Sequence, residues 1–325
     1  MQKKRVIRQM FGVLLGVGVL LPVFVFSNVA QAKPLTVALI AANLNATSQA
    51  RVAAEFQEKA KEKGWDVVIA NSGGSWSKFI ELMENMITRG VDAIAVAMTD
   101  LPSLQPAMEP IIKAADEAGI PIVSIDSGYI PGVVVNITMN NFVAGAKIAQ
   151  YLVDRIGGKG NVILFRFEKH FGTRQRAKVM DVVLTEYPEI TVLAEHQLPS
   201  VGFVQDAQAT MENFLTQFGN KIDAVFAPWD DPAAGIAQAI MGAGYTSSDM
   251  FVVGIDGTQQ AFDMIRQGTP FVATIAQPFE AYADKAIEII DEIVAKGRPI
   301  NEVTGGLPAI YMEAPLITSL NVPKE

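Results

Sequence analysis

The sequence predicts an α/β protein made of two Rossmann-like lobes with parallel sheets, joined by a multi-strand hinge with a ligand cleft between them. Three observations carry this reading. Short runs rich in Val, Ile and Ala alternate with longer segments of helical periodicity. The apolar runs lack the polar alternation of a half-exposed strand, which implies sheets covered by helices on both faces. Two of the runs, PIVSID and FVVGID, lie in different halves of the chain. Each ends in an aspartate followed by small residues: Asp126 before Ser127-Gly128, and Asp256 before Gly257-Thr258.

The elements follow in order. Residues 1–32 open with Lys3, Lys4, Arg5 and Arg8. An apolar run to about Val25 follows, then an Ala30-Gln31-Ala32 cleavage signature. This is the pattern of a secretory signal, so the mature chain is expected to begin at Lys33. The run is short and broken by Pro22, which argues against an uncleaved membrane anchor. Beyond it, TVALIAA from Thr36, DVVIAN from Asp66, AIAVAM from Ala93 and PIVSID from Pro121 read as buried strands. The segments between them carry helical stripes, Val52/Phe56/Ala60 and Phe79/Met83 with Met86 and Ile87. These helices end at Gly64, Gly90 and Gly119, since glycine accepts the left-handed conformation that closes a helix.

The pattern resumes at Asn161 with NVILFRF, TVLAEHQ, AVFAPW, FVVGID and FVATIA. About ten strands divide into two sheets of five, with the break near Met139 after VVVNIT. The first lobe is assigned residues 33–139 plus about 278–311, to which a helix from Phe279 to about Ala295 and a strand near Ala309 to Met312 return, and the second 140–277 plus about 312–325. No low-complexity linker separates them, so short strand-like crossings should join the lobes.

Composition excludes several classes. Loss of the signal removes four positive charges and takes the formal net charge from −8 to −12, a poor match for nucleic acid or an anionic membrane surface. The chain has no cysteine, hence no disulfide and no acylated N-terminus, and an exported soluble protein then needs a closed compartment: the periplasm. The two histidines, His170 and His196, stand apart, and no HExxH, GxSxG, Walker loop or metal-ligand spacing occurs. Gly157-Gly158-Lys159-Gly160 follows a helix and precedes a strand, the wrong order for a phosphate loop, and reads as a turn. No catalytic residue, metal or cofactor is expected.

In parallel α/β sheets, ligands bind outside the carboxyl ends of the strands. Asp126 and Asp256 lie at such ends, one per lobe, and would face one cleft. Trp229, at the end of AVFAPW, is placed to face the same ligand. Asp230 or Asp231 reads as the N-cap of the following helix. Arg176 lies at the start of a helix, where a positive charge opposes the macrodipole, so a carboxylate or ligand oxygen should favour it. Gln277 ends FVATIAQ, and its amide can donate and accept. Two carboxylates, a guanidinium, an amide and an indole suit a neutral polyhydroxylated molecule. Each charge-assisted hydrogen bond would contribute about 1.5–3 kcal/mol.

These residues in this order resemble the periplasmic sugar-binding proteins of ABC importers, of the ribose, galactose and allose type. The likeness runs through TVALI, Arg89-Gly90, Gly119-Ile120-Pro121 and Asp126. It continues with Arg176, Val225 to Asp230, Gly254 to Thr258, and Ala273 to Gln277. It implies that Asp126, Arg176, Asp256 and Gln277 hold the ligand, with Trp229 standing where the family commonly has an asparagine. Phe203 would supply the aromatic wall of the second lobe, and Asn43 and Gln49, after the first strand, complete the ligand set. The departures lie mainly in the first lobe. Ala46-Thr47-Ser48-Gln49 replaces an Asn-Pro-Phe-Phe run that stacks on the sugar. Ser127 replaces an arginine, and in the second lobe Val179 replaces a glycine. Trp76 and Tyr129 are the candidates to replace the lost platform.

The resemblance implies capture of a sugar or polyol by hinge closure and delivery, by a monomer, to an ABC permease in the inner membrane. A sensor feeding a chemoreceptor or a sensor kinase is the alternative. A secreted enzyme using Asp126 and Asp256 is less favoured, and a transcription regulator would need a DNA-binding segment where the signal stands.

Overall fold

The structure is a computed structural model that describes residues 33–324; the expected signal segment and its cleavage site lie outside them. The first half runs β1 (Thr36–Ala41), α1 (Thr47–Glu62), β2 (Asp66–Asn71), α2 (Trp76–Arg89), β3 (Ala93–Ala97), α3 (Leu101–Glu117), β4 (Ile122–Ile125) and β5 (Asn136–Met139). Next come α4 (Asn141–Arg155), β6 (Gly160–Arg166), α5 (Phe171–Thr185), β7 (Ile190–Gln197), α6 (Phe203–Phe218) and β8 (Ala224–Phe226). The chain finishes with α7 (Asp230–Gly242), β9 (Phe251–Asp256), α8 (Gln259–Arg266), β10 (Phe271–Ala276), α9 (Phe279–Ile290), α10 (Ile300–Thr304), β11 (Ala309–Met312) and β12 (Leu316–Thr318).

The strands form two six-stranded sheets, ordered β11-β5-β4-β3-β1-β2 and β12-β10-β9-β8-β6-β7. Beyond the two sheets of five, the strand expected near Ala309 to Met312 is present as β11 in the first sheet, and β12 adds an unexpected sixth strand to the second. β11 pairs with β5 in parallel, and β12 lies antiparallel on β10. Central strands such as β3 and β9 are buried at every residue, whereas the edge strands β2 and β7 have no fully buried residue. That is the burial of parallel sheets with helices on both faces. The striped faces account for the packing. Val52, Phe56 and Ala60 of α1 meet Phe279, Tyr282 and Ala286 of α9 in one core. Phe79, Met83 and Met86 of α2 join Leu104, Met108 and Ile111 of α3 on the opposite face. Gly90 closes α2 at φ 69°.

The chain passes between the sheets three times: at Asn140, at Gln277–Pro278 and at Glu313–Pro315. Lys147 Nζ of α4 donates to the Ala314 carbonyl of the third passage, 3.1 Å. In each sheet the chain steps outward to the edge, β1 to β2 and β6 to β7, then returns to the other side of its first strand. Such reversals open a crevice at the carboxyl ends of the strands. Among the described residues no helix is long and apolar enough to cross a membrane, and no group of three or more His, Cys, Asp or Glu is placed to hold a metal.

Candidate functional site

The strand tips of both sheets enclose a cavity of about 110 Å³. Asp126, Arg176, Trp229, Asp256, Gln277, Phe203, Asn43 and Gln49 all line it. Among the described residues, the non-glycine residues at positive φ are Met98 (54°), Asp126 (45°) and Asp256 (154°). They stand at or just beyond the ends of β3, β4 and β9, and all three are cavity walls. Positions of this kind cost of order 1–3 kcal/mol each and concentrate at binding sites.

Each charged group is held from behind. Asp126 is buried, and Oδ1 accepts from Thr138 Oγ1 at 2.5 Å. Asp256 Oδ1 accepts from Gln277 Nε2 at 2.8 Å, and Tyr282 donates weakly to Gln277 Oε1 at 3.4 Å. Arg176 is 2% exposed; Nε donates to Asn141 Oδ1 and Nη1 to the Pro228 carbonyl, both at 2.8 Å. Its partners are neutral, so its charge remains for the cavity. Burial pushes the Asp256 carboxyl well above its usual range. The neighbouring Asp230 adds to this, and Arg176 offsets part of it.

Trp229 is wedged edge-to-face between Phe167 and Phe203, centroids 5.3 and 5.1 Å apart, and its buried Nε1 has no hydrogen-bond partner. The other two candidates are engaged within the protein. Gln49 Oε1 accepts from the Asn43 backbone N–H at 2.6 Å, and Asn43 Nδ2 donates to the Ser200 carbonyl at 3.0 Å. Of the two aromatic replacements considered for the first lobe, Trp76 lines the cavity and Tyr129, 42% exposed, does not.

Two local expectations are corrected. Neither Asp230 nor Asp231 caps α7, because the extended backbone of Trp229 (φ −158°, ψ 173°) makes that residue the N-cap. Asp230 turns inward instead, accepting from Thr258 N–H at 2.8 Å and Thr274 Oγ1 at 2.7 Å. Asp231 accepts from Thr47 N–H at 3.0 Å, one of the unpaired donors at the start of α1 in the other lobe. Nor is Arg176 at the helix start. Helix α5 begins at Phe171, so Arg176 falls in its second turn, and the first-turn arginine is Arg174. That residue pairs with Asp100, which is buried at the start of α3.

Sequence reasoning missed the ties across the cleft. His170 Nε2 lies 2.7 Å from the Asp126 carbonyl. Arg51 Nη1 donates to the Gly257 carbonyl at 3.2 Å. With Asn43–Ser200, Thr47–Asp231 and Asp100–Arg174, these bonds join the walls all along the cavity. It also missed Thr99 and Ser200, cavity residues whose hydroxyls are buried without partners. The only available signal was position, since both lie just beyond strand ends.

Comparison with known proteins gives the family and the fold. Residues 37–299 match the family described as the periplasmic binding protein domain. A xylitol-binding protein of Mycolicibacterium smegmatis is 30% identical over 244 residues, 74% of this chain and 67% of that protein. The ribose import binding protein of Bacillus subtilis is 28% identical over 82% of this chain and 84% of its own. An ABC transporter solute-binding protein from Agrobacterium vitis, solved with bound allitol, superposes with a TM-score of 0.78 at 25% identity. That alignment covers 89% of this chain and 97% of the other.

Proposed function

The chain belongs to the periplasmic binding protein family of sugar- and polyol-binding ABC transporter components, and from that premise we propose that it captures a neutral pentose, pentitol or similar polyol in the periplasm and delivers it to an ABC permease in the inner membrane. It is a solute-binding protein, not an enzyme. The observation that carries the reading is that Asp126 and Asp256, from opposite sheets, line one small cavity together with Arg176. Each carboxylate can accept from ligand hydroxyls. Arg176 donates, and Gln277 and the Trp229 N–H add further partners. The relatives named for xylitol and ribose, and the neighbour holding allitol, support the same ligand class.

Closure follows from the architecture. Three passages link the lobes, so one can swing over a ligand seated on the other. Closing would bring Asp126 onto a ligand held by Arg176, Asp256 and Gln277, and would make the ties at His170, Arg174 and Asp231.

The test is a thermal-shift panel on residues 33–325, unfolded and refolded to strip carried ligand. Pentoses, hexoses, pentitols, hexitols and cyclitols are compared with amino acids and short peptides. A ligand at about a thousand times its Kd adds roughly 4 kcal/mol, about 8–16 °C for a chain of this size. One neutral polyol or sugar should shift the midpoint, and Asp126→Ala or Asp256→Ala should remove the shift. A response to amino acids or anions alone would overturn the reading.

A further inference from the structure

The charged walls of the cavity are segregated. Asp100, Asp126, Lys169, Arg176 and Asp256 come from the ends of β3, β4 and β9 and from the β6–α5 region. The end formed by β1, β2 and β7 contributes no charge. Its walls are Ala46, Trp76 and Phe203 with the neutral Asn43, Ser72 and Ser200. In sheet order the two ends meet between β3 and β1 and between β6 and β7, and their far strands, β4 and β2 in the first sheet, are three strands apart. At about 4.8 Å per strand, their tips are separated by roughly 14 Å, more than a single sugar ring spans.

The uncharged end is built as a site. Ser200 Oγ is buried without a hydrogen-bond partner, and so is Nε1 of Trp229, which packs on Phe203. Gly74, at φ 81°, lets the β2–α2 turn approach Ser200 closely; a Cβ there would lie 3.1 Å from the Ser200 Cβ. Trp76 opens α2 and is a wall of the cavity while remaining 41% exposed. At this end Ser200 and Trp229 can each take one polar atom of a ligand, and its further surface meets Ala46, Phe203 and the Trp76 indole, where a hydroxyl loses water without replacement.

Resting on the sugar or polyol reading, we propose that the ligand is amphipathic: a polyol or sugar whose hydroxyls lie between Asp126 and Asp256, carrying a short alkyl, alkylthio or aryl substituent that packs on Trp76 and Phe203. The indole N–H of Trp229 and the Ser200 hydroxyl serve the oxygen or sulfur at the junction.

The test is calorimetric titration of the refolded protein with ribose, xylitol and arabinitol, then with the methyl, ethyl and propyl ribosides and 5-alkylthio-5-deoxyriboses. Affinity should rise along each alkyl series by about fourfold per methylene, ~0.8 kcal/mol, and Trp76→Ala should flatten that gradient. Binding of the bare compounds, with alkylation weakening it or leaving it unchanged, would overturn the inference and spare the polyol reading. Failure of every polyol and sugar, bare or substituted, would remove both.

Discussion

Nε2 of His170, from the second lobe, lies 2.7 Å from the backbone carbonyl of Asp126, from the first. The same residue therefore offers its carboxylate to the cavity and its carbonyl to the opposite wall, which couples ligand contact to closure. His170→Ala removes a donor and leaves a buried acceptor unpaired, a loss of about 1–2 kcal/mol or roughly 5–30-fold in ligand affinity. Calorimetry should show this weakening, while the unfolding midpoint of the ligand-free protein changes less. An unchanged affinity would separate the contact from closure.

The same histidine sets a pH dependence. Burial pushes its imidazole down, against the pull of Asp126 and Asp100 and with some help from Arg176. A base with a depressed pKa contributes stability above its unfolded value, about 6.5, and loses it as pH falls through the folded value. His170→Gln keeps an N–H donor that does not titrate. The difference in affinity between wild type and this variant should therefore move against wild type below about pH 6.5. A difference constant between pH 5 and 8 would contradict this.

Asp100 and Arg174 form a second tie, with the carboxylate fully buried and the guanidinium partly exposed. Burial pushes the Asp100 carboxyl up, but hydrogen bonds from Arg174 and Ser103 outweigh it and hold the group below its usual range. Removing only the cation strands a buried charge, which costs about 2–5 kcal/mol. Arg174→Gln should accordingly weaken ligand binding by more than tenfold, and more than Asp100→Asn, which keeps the cap on α3. The reverse order in titrations of the two variants would refute the assignment.

Asp230 titrates in the opposite sense to His170. Burial pushes its carboxyl up to about 6, against the hydrogen bonds from Thr258 and Thr274. An acid with a raised folded pKa stabilises the fold fully below its unfolded value, about 3.9, and that stability is lost as pH rises through about 6. Relative to Asp230→Asn, the ligand-free wild type should thus gain up to ~3 kcal/mol between pH 7 and pH 4, at about 1.4 kcal/mol per unit. Urea unfolding across that range measures it. A flat difference would mean that Asp230 ionises normally.

What the sequence disclosed follows a physical line. Strand tips are legible because apolar runs end where polarity begins, so the sequence alone places Asp126, Asp256, Trp229 and Gln277. The cross-lobe partners could not. His170 and Asp126 are 44 residues apart, Arg174 and Asp100 are 74 apart, and Asn43 and Ser200 are 157 apart. No local pattern encodes such distances. Asp230 was misjudged for a related reason: an aspartate before a helix reads as a cap, and only the extended backbone of Trp229 shows that its side chain turns inward.

Gly145 distinguishes local propensity from packing. It lies inside α4, where replacing glycine by alanine should ordinarily stabilise a helix by roughly 0.5–1 kcal/mol. Here a Cβ would meet the Arg176 Cα at 3.0 Å, its carbonyl oxygen at 3.1 Å and the Val179 Cβ at 3.1 Å. Two of those atoms are backbone and cannot rotate away. Gly145→Ala must therefore push α5 off α4 and carry Arg176 with it, an overpacking cost of about 1–3 kcal/mol. Urea unfolding should show net destabilisation, and ligand affinity should fall with it because the guanidinium moves relative to Asp256. A stabilised variant with unchanged affinity would show that the α4–α5 contact is looser than these distances require.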